Sequence, residues 1–297
     1  MREGGFNKAQ VTKYLVWTFV PAYLIQAGVA LLYQRGQSAV GRLVMAAMMF
    51  VPTLGVLLAG GKLKELGWRP QLKKNLRAIL IAWFVPALLT ALGAALYLLV
   101  FPDHFDLSGR NLGEEALAQL QAQGLSYGQY LLISAAAGLL YGPLINTFAA
   151  LGEEIGWRGF LYPQLKARYG KRPGWLLGGC IWGAWHWPLI WLIGYEYGTD
   201  YPGFPVTGML LFCVITVAYG ILCDRLYERS GSIWLPALCH GAINAAAGLP
   251  FALYYTDKGA FRLLGPAPNG LLAGLPFLLA ALLLFLRAKE EPGRDAV

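Results

Sequence analysis

The sequence predicts an all-α fold, a polytopic integral membrane bundle of about eight transmembrane helices forming one membrane domain over 1–297. Three observations predict it. Hydrophobic residues fill 57% of the 297 positions and charged residues only 13%, whereas a soluble domain carries roughly a quarter of its residues as charges. Several nearly uncharged runs reach the roughly 20 residues that a helix, rising about 1.5 Å per residue, needs to cross a hydrocarbon core about 30 Å thick. The basic residues collect in short loops between those runs, as Lys and Arg do on the cytoplasmic side of a membrane.

The first span is expected from Tyr14 to Tyr33, behind Arg2, Lys8 and Lys13. It reads as an uncleaved span, because the apolar run continues to Tyr33 without a small-x-small cleavage site. The second runs from Val40 to Gly60, with Arg42 close enough to its end to snorkel. Lys62 to Arg77 is the most basic stretch and is expected in the cytoplasm, ahead of a third span from Ala78 to Phe101. The segment 102–126 carries Asp103, Asp106, Glu114 and Glu115 and reads as an outer loop, with His104 a solvated member of it.

The fourth span begins near Tyr127, passes Gly142 and Pro143, and reaches Glu153, Glu154 and Arg158 before a basic loop with Lys166, Arg168, Lys171 and Arg172. A fifth, Gly174 to Gly194, leads to an outer loop with Glu196 and Asp200. A sixth, Val206 to Cys223, leads back to a loop with Asp224, Arg225, Glu228 and Arg229. Ile233 to Leu253 makes the seventh. A mixed loop then reaches Asn269, and the eighth span ends at Arg287 and Lys289 before a polar tail. This alternation puts both termini in the cytoplasm of a multi-pass cell-membrane protein.

The net charge of +8 comes without a helix-turn-helix pattern, a basic aromatic sheet motif or a long Lys/Arg block, which argues against nucleic acid and leaves the lipid bilayer as the partner. Cys180, Cys213, Cys223 and Cys239 lie in or beside apolar runs with no C-x-x-C pair, so they read as packing residues. No internal repeat or low-complexity linker divides the chain.

A charge at the bilayer centre costs about 2.5 to 3.5 kcal/mol on insertion scales, which makes ionisable residues inside spans functional candidates. Glu153, Glu154, Arg158, His186 and His240 qualify, and they come from three spans. Counting from the expected cytoplasmic ends, His186 lies about 18 Å in, His240 about 12 Å and Glu153 about 20 Å. The depths agree within the error of the span ends. Helical spacing pairs Glu154 with Arg158 at i,i+4 and sets Glu153 on a face with Trp157. His240 and Asn244 share a face, as do Trp182 and His186. A carboxylate beside an imidazole can take a proton from water, and a second imidazole with a carboxamide can stabilise an oxyanion. Those parts suffice for acyl hydrolysis. Read blandly, Glu154–Arg158 is a structural ion pair, either histidine alone an interhelical hydrogen-bond partner, and Trp182, Trp185 and Trp187 packing for the fifth span.

Glu153-Glu-Ile-Gly-Trp-Arg158, Trp182-Gly-Ala-Trp-His186 and His240-Gly-Ala-Ile-Asn244 together resemble the type II CAAX prenyl endopeptidase family, also called the CAAX protease and bacteriocin-processing (Abi) family of intramembrane proteases. The motifs lie in order within 140–250, which the resemblance marks as the catalytic core. The family usually has Phe where Trp182 stands. The resemblance implies a conical cavity open to the cytoplasm and bilayer, with Glu153 and His186 activating water, His240 and Asn244 forming the oxyanion hole, and Glu154 and Arg158 supporting the site. Trp182 and Trp157 are expected to contact substrate. Two histidines and a glutamate can bind Zn²⁺, but H-E-x-x-H is absent, so the expectation is metal-free, glutamate-dependent cleavage without a cofactor. The expected partner is a membrane-associated protein or lipidated peptide substrate, including a prenylated CAAX-type one. A proton-coupled transporter and a non-catalytic immunity or partner protein are the alternatives.

Overall fold

A computed structural model describes residues 5–289. Arg2 and the polar tail beyond Lys289 lie outside the described residues. Within them the chain is helical, and its only sheet-type pairing is an isolated bridge between Phe105 and Tyr254.

The helices are α1 (Lys8–Gln34), α2 (Ser38–Met48), α3 (Val51–Leu58), α4 (Leu72–Val100), α5 (Glu114–Ala122), α6 (Tyr127–Ala136), α7 (Gly142–Gly156), α8 (Tyr162–Tyr169), α9 (Lys171–Ala184), α10 (Trp187–Ile193), α11 (Val206–Ser230), α12 (Trp234–Ala247) and α13 (Leu275–Leu286). The second expected span is thus two helices. Pro52 at the start of α3 has no N–H to continue the ladder, so the chain breaks at Met49 and Phe50. From Tyr127 to Tyr169 the fourth span is a 43-residue helix interrupted by two π turns, Ala137–Tyr141 and Trp157–Leu161. Each π turn is followed two residues later by a proline, Pro143 or Pro163. The missing proline N–H already removes a rung there, which lowers the cost of widening the turn.

Six helical stretches among the described residues are long and apolar enough to cross a bilayer. The seventh and eighth expected spans are shorter. At 14 and 12 residues, α12 and α13 reach about 21 and 18 Å. Many large apolar side chains point outward, Leu24, Leu43, Leu99 and Leu132 each at 70% exposure or more. An apolar exterior on this scale fits lipid as the solvent.

The expected basic loops gather at one end of the bundle. Asn7 N–H donates to Gln164 at 2.8 Å, Ile233 N–H to Leu66 O at 3.2 Å, and Arg172 to the carbonyls of Phe285, Leu286 and Ala288. At the opposite end Asp106 N–H donates to Leu253 O and Tyr197 to Asn269 O.

Two expectations about charged residues are corrected. Asp224 does not lie in a loop past the sixth span, because α11 continues to Ser230 and buries it fully. Its Oδ2 accepts from Lys166 Nζ and Trp175 Nε1, both at 2.6 Å, and those donors let the helix run on through a carboxylate. His104 is a half-buried, and not a fully solvated, member of its loop. Its Nδ1 lies 2.8 Å from the Tyr97 hydroxyl, and its ring stacks on Phe101 and meets Tyr254 and Phe261 edge-on.

Candidate active site

The first motif sits at the end of α7 and runs into the second π turn. Glu153, Glu154, Trp157 and Arg158 are all essentially buried. Trp157 Nε1 donates to Glu153 Oε2 at 3.0 Å, and Trp182 Nε1 from α9 donates to the same oxygen at 2.7 Å. Two indole N–H groups on one oxygen hold the carboxylate, and Glu153 lines the adjoining cavity. Trp157 itself does not line that cavity, whereas Trp182 does.

The second motif lies where the fifth span breaks. Pro188 in the first turn of α10 cannot donate to Ala184, so the ladder opens at Trp185 and His186. Side chains from α1 replace the lost bonds. Tyr23 OH donates to Ala184 O at 2.8 Å, Gln26 Nε2 donates to Trp185 O at 2.7 Å, and Gln26 Oε1 accepts from Leu189 N–H at 3.1 Å. Gln26 is fully buried. The break points His186 into the cavity, and its Nδ1 lies 3.0 Å from Trp182 O. A carbonyl only accepts, so Nδ1 carries a proton, and in the neutral ring Nε2 keeps its lone pair. Tyr195 stacks on the ring at 6.1 Å and 9°, while Trp185 and Phe212 meet it edge-on.

The third motif is on α12, held close to α7 by Gly241, where a Cβ would come within 2.6 Å of Thr147 N. His240 Nδ1 lies 2.9 Å from Glu154 Oε1, which also accepts from Arg158 Nη1 at 2.8 Å. The sequence pairs Glu154 with Arg158 alone; the histidine partner arrives through tertiary packing. Arg158 also covers the Trp182 ring at 4.4 Å, a contact worth more in a desolvated setting than at a surface.

Glu153, His186, His240 and Asn244 thus come from three helical segments and line one cavity of about 270 Å³. Glu154 and Arg158 stand behind it. The same cavity receives Glu196 and Asn269, which the sequence reading leaves in or beside loops. Asn269 Nδ2 donates to Glu196 Oε2 at 2.6 Å, and Tyr219 OH donates to Asn269 Oδ1 at 2.9 Å. Glu196 has a left-handed backbone at φ +66°, a conformation costing a non-glycine residue about 1–3 kcal/mol and concentrated at functional sites. Burial pushes its carboxyl above the ordinary glutamate range, against hydrogen bonds from Asn269 and Tyr195 that lower it. The run Gly194-Tyr-Glu-Tyr-Gly198, one carboxylate between two tyrosines and two glycines, is the sequence signal for this second carboxylate.

A catalytic Zn²⁺ needs three protein ligands around one point. Among the described residues no group of three or more His, Cys, Asp or Glu is gathered closely enough to hold a metal. Glu153 Oε2 is moreover already taken by two indoles.

Residues 135–246, which contain all three motifs, match the family described as Type II CAAX prenyl endopeptidase Rce1-like. A stretch of 50 residues is 42% identical to a protein named CAAX prenyl protease 2 from Methanococcus maripaludis, covering 16% of this chain and 18% of that protein. The resemblance carried by Glu153–Arg158, Trp182–His186 and His240–Asn244 is thus matched in residues 135–246, the part of the chain that is similar to the Rce1-like type II CAAX prenyl endopeptidases.

Proposed function

We propose that the protein is an intramembrane endopeptidase that hydrolyses a peptide bond of a membrane-associated substrate, using Glu153 and His186 to activate water without a metal. The observation that carries this reading is the convergence of Glu153, His186, His240 and Asn244 on one cavity. Glu153 Oε1 and the unprotonated His186 Nε2 both accept, so a water between them loses a proton as its oxygen attacks the scissile carbonyl. The carbonyl oxygen becomes an oxyanion and receives N–H groups from Asn244 Nδ2 and His240 Nε2. The tetrahedral intermediate then expels the amine, which leaves with the proton that the water lost.

In this mechanism His240 acts as an imidazolium. Its Nδ1 faces a carboxylate, which only accepts, so a neutral ring would have no proton left on Nε2. With His240 charged, Glu153 and Glu154 are balanced by Arg158 and His240. A buried cluster of zero net charge avoids the penalty of an unpaired ion.

The proposed arrangement has both termini and the basic end in the cytoplasm, with the substrate reaching the cavity from that leaflet. Prenylated CAAX-type tails are the first substrate class to test. The test is cleavage of matched prenylated and unprenylated membrane-tethered peptides by the purified protein, with and without a strong chelator. Cleavage that survives the chelator supports the reading. Cleavage abolished by the chelator and restored by Zn²⁺ overturns the metal-free mechanism.

A further inference from the structure

A second cavity, of about 410 Å³, lies between α4, α11, α12 and α13 and shares no lining residue with the first. On α12, Cys239 faces it while the adjacent His240 faces the active site. Its two ends differ in chemistry. One mouth carries Lys74 and Arg77 from the start of α4 and Arg225 and Arg229 from the end of α11. Asn75 ties these helix ends together by donating to Pro70 O and Ser230 O. The remainder is an apolar wall of Ile81, Val85 and Leu89 on α4, facing Leu222 and Leu226 on α11 and Phe277 on α13.

Among the described residues the charge at this mouth is only partly compensated. Arg225 shares Glu228 with Lys166 and Lys171. Among the described residues, Lys74, Arg77 and Arg229 have no ion-pair or hydrogen-bond partner and no carboxylate lines the cavity. From Arg77 to Leu89 the α4 wall is about 18 Å long at the helical rise. A soluble anion would leave that wall uncovered, and an apolar chain alone would leave the cations unmatched. Basic pockets between transmembrane helices at a membrane surface are suited to anionic headgroups.

We propose that this cavity binds an anionic phospholipid, its phosphate at Lys74, Arg77, Arg225 and Arg229 and one acyl chain along the α4 wall. The site is separate from the proposed catalysis and does not depend on it. The lipid fills the gap between α4 and α11 that the protein's own side chains leave.

The test uses delipidated full-length protein in neutral detergent, titrated with dioleoyl phosphatidylglycerol or dioleoyl phosphatidylcholine, with bound lipid counted by native mass spectrometry. Phosphatidylglycerol is expected to bind at least about tenfold more tightly. Arg77→Gln with Arg229→Gln removes two cations and should weaken it by about 30-fold. Lys64→Gln with Arg69→Gln removes the same net charge from outside the cavity and should leave binding within about twofold. Val85→Trp, checked for an unchanged melting temperature, should reduce binding by filling the apolar wall while keeping every cation. Equal binding of the two lipids overturns the proposal, as does equal weakening by the two charge-removing pairs. Displacement of phosphatidylglycerol by equimolar glycerophosphate would make this a free-anion site, and displacement by an isoprenyl diphosphate a prenyl site; either result also overturns it.

Discussion

Glu154→Gln separates the structural role of the buried ion cluster from its catalytic one. Glu154 Oε1 is shared by Arg158 Nη1 at 2.8 Å and His240 Nδ1 at 2.9 Å, and the Glu154 and Arg158 side chains are both 0% exposed. Glutamine keeps the shape and an acceptor oxygen but leaves the Arg158 charge unbalanced. Breaking a buried pair from one side costs about 3–5 kcal/mol, which is a large part of a typical domain stability of about 5–15 kcal/mol. Adding Arg158→Met removes the stranded charge, and replacing a whole buried pair by apolar groups is often neutral. The double variant should therefore recover most of the lost stability in a detergent melt. It should not recover turnover, because His240 still lacks the anion that holds it as an imidazolium. The loss of one oxyanion donor should lower kcat by about 10²–10³-fold in both variants on a cleaved reporter. A double variant that regains both stability and turnover would refute the proposed charge state of His240.

Other perturbations probe the scaffold. Gln26→Leu removes two buried hydrogen bonds at the break before α10, and the groups left unpaired should cost about 2–4 kcal/mol in a denaturation series, with a fall in kcat as His186 loses its position. Asp224→Asn weakens the contacts to Lys166 and Trp175, yet Lys166 keeps Glu228 at 3.1 Å. It should cost about 1.5–3 kcal/mol and leave kcat unchanged below the melt. Glu196 has its folded-state carboxyl raised by burial, so its favourable contribution is complete below the unfolded glutamate pKa and is lost as pH rises through the folded value. Glu196→Gln should thus melt like wild type near pH 4 and above it at pH 8; a difference independent of pH would contradict this linkage.

Run length and loop charge locate most helices because lipid imposes a length on each span. They fail where tertiary partners change the solvent a residue meets. Asp224 reads as the end of a span until Lys166 and Trp175 from other helices satisfy it. α12 and α13 read as full spans because the apolar runs around them continue past their ends into turns at Leu249–Leu253 and before Leu275. At the site, i,i+4 spacing makes the Glu154–Arg158 and Glu153–Trp157 pairs legible. Contacts between segments are not coded by spacing. His240 with Glu154, Trp182 with Glu153, Gln26 with the α10 break and Glu196 with Asn269 all required the fold. Gln26 was within reach of a sequence argument, since a carboxamide inside a span needs a partner as surely as a charge does.

The most direct measurement is single-turnover cleavage of a reporter by Glu153→Gln, with binding of a non-cleavable version of the same reporter measured in parallel. If Glu153 is the base, the cleavage rate falls by about 10²–10⁴-fold while the affinity stays close to wild type. Cleavage within about tenfold of wild type, at full occupancy and in an intact fold, would contradict a mechanism in which Glu153 draws the proton from water.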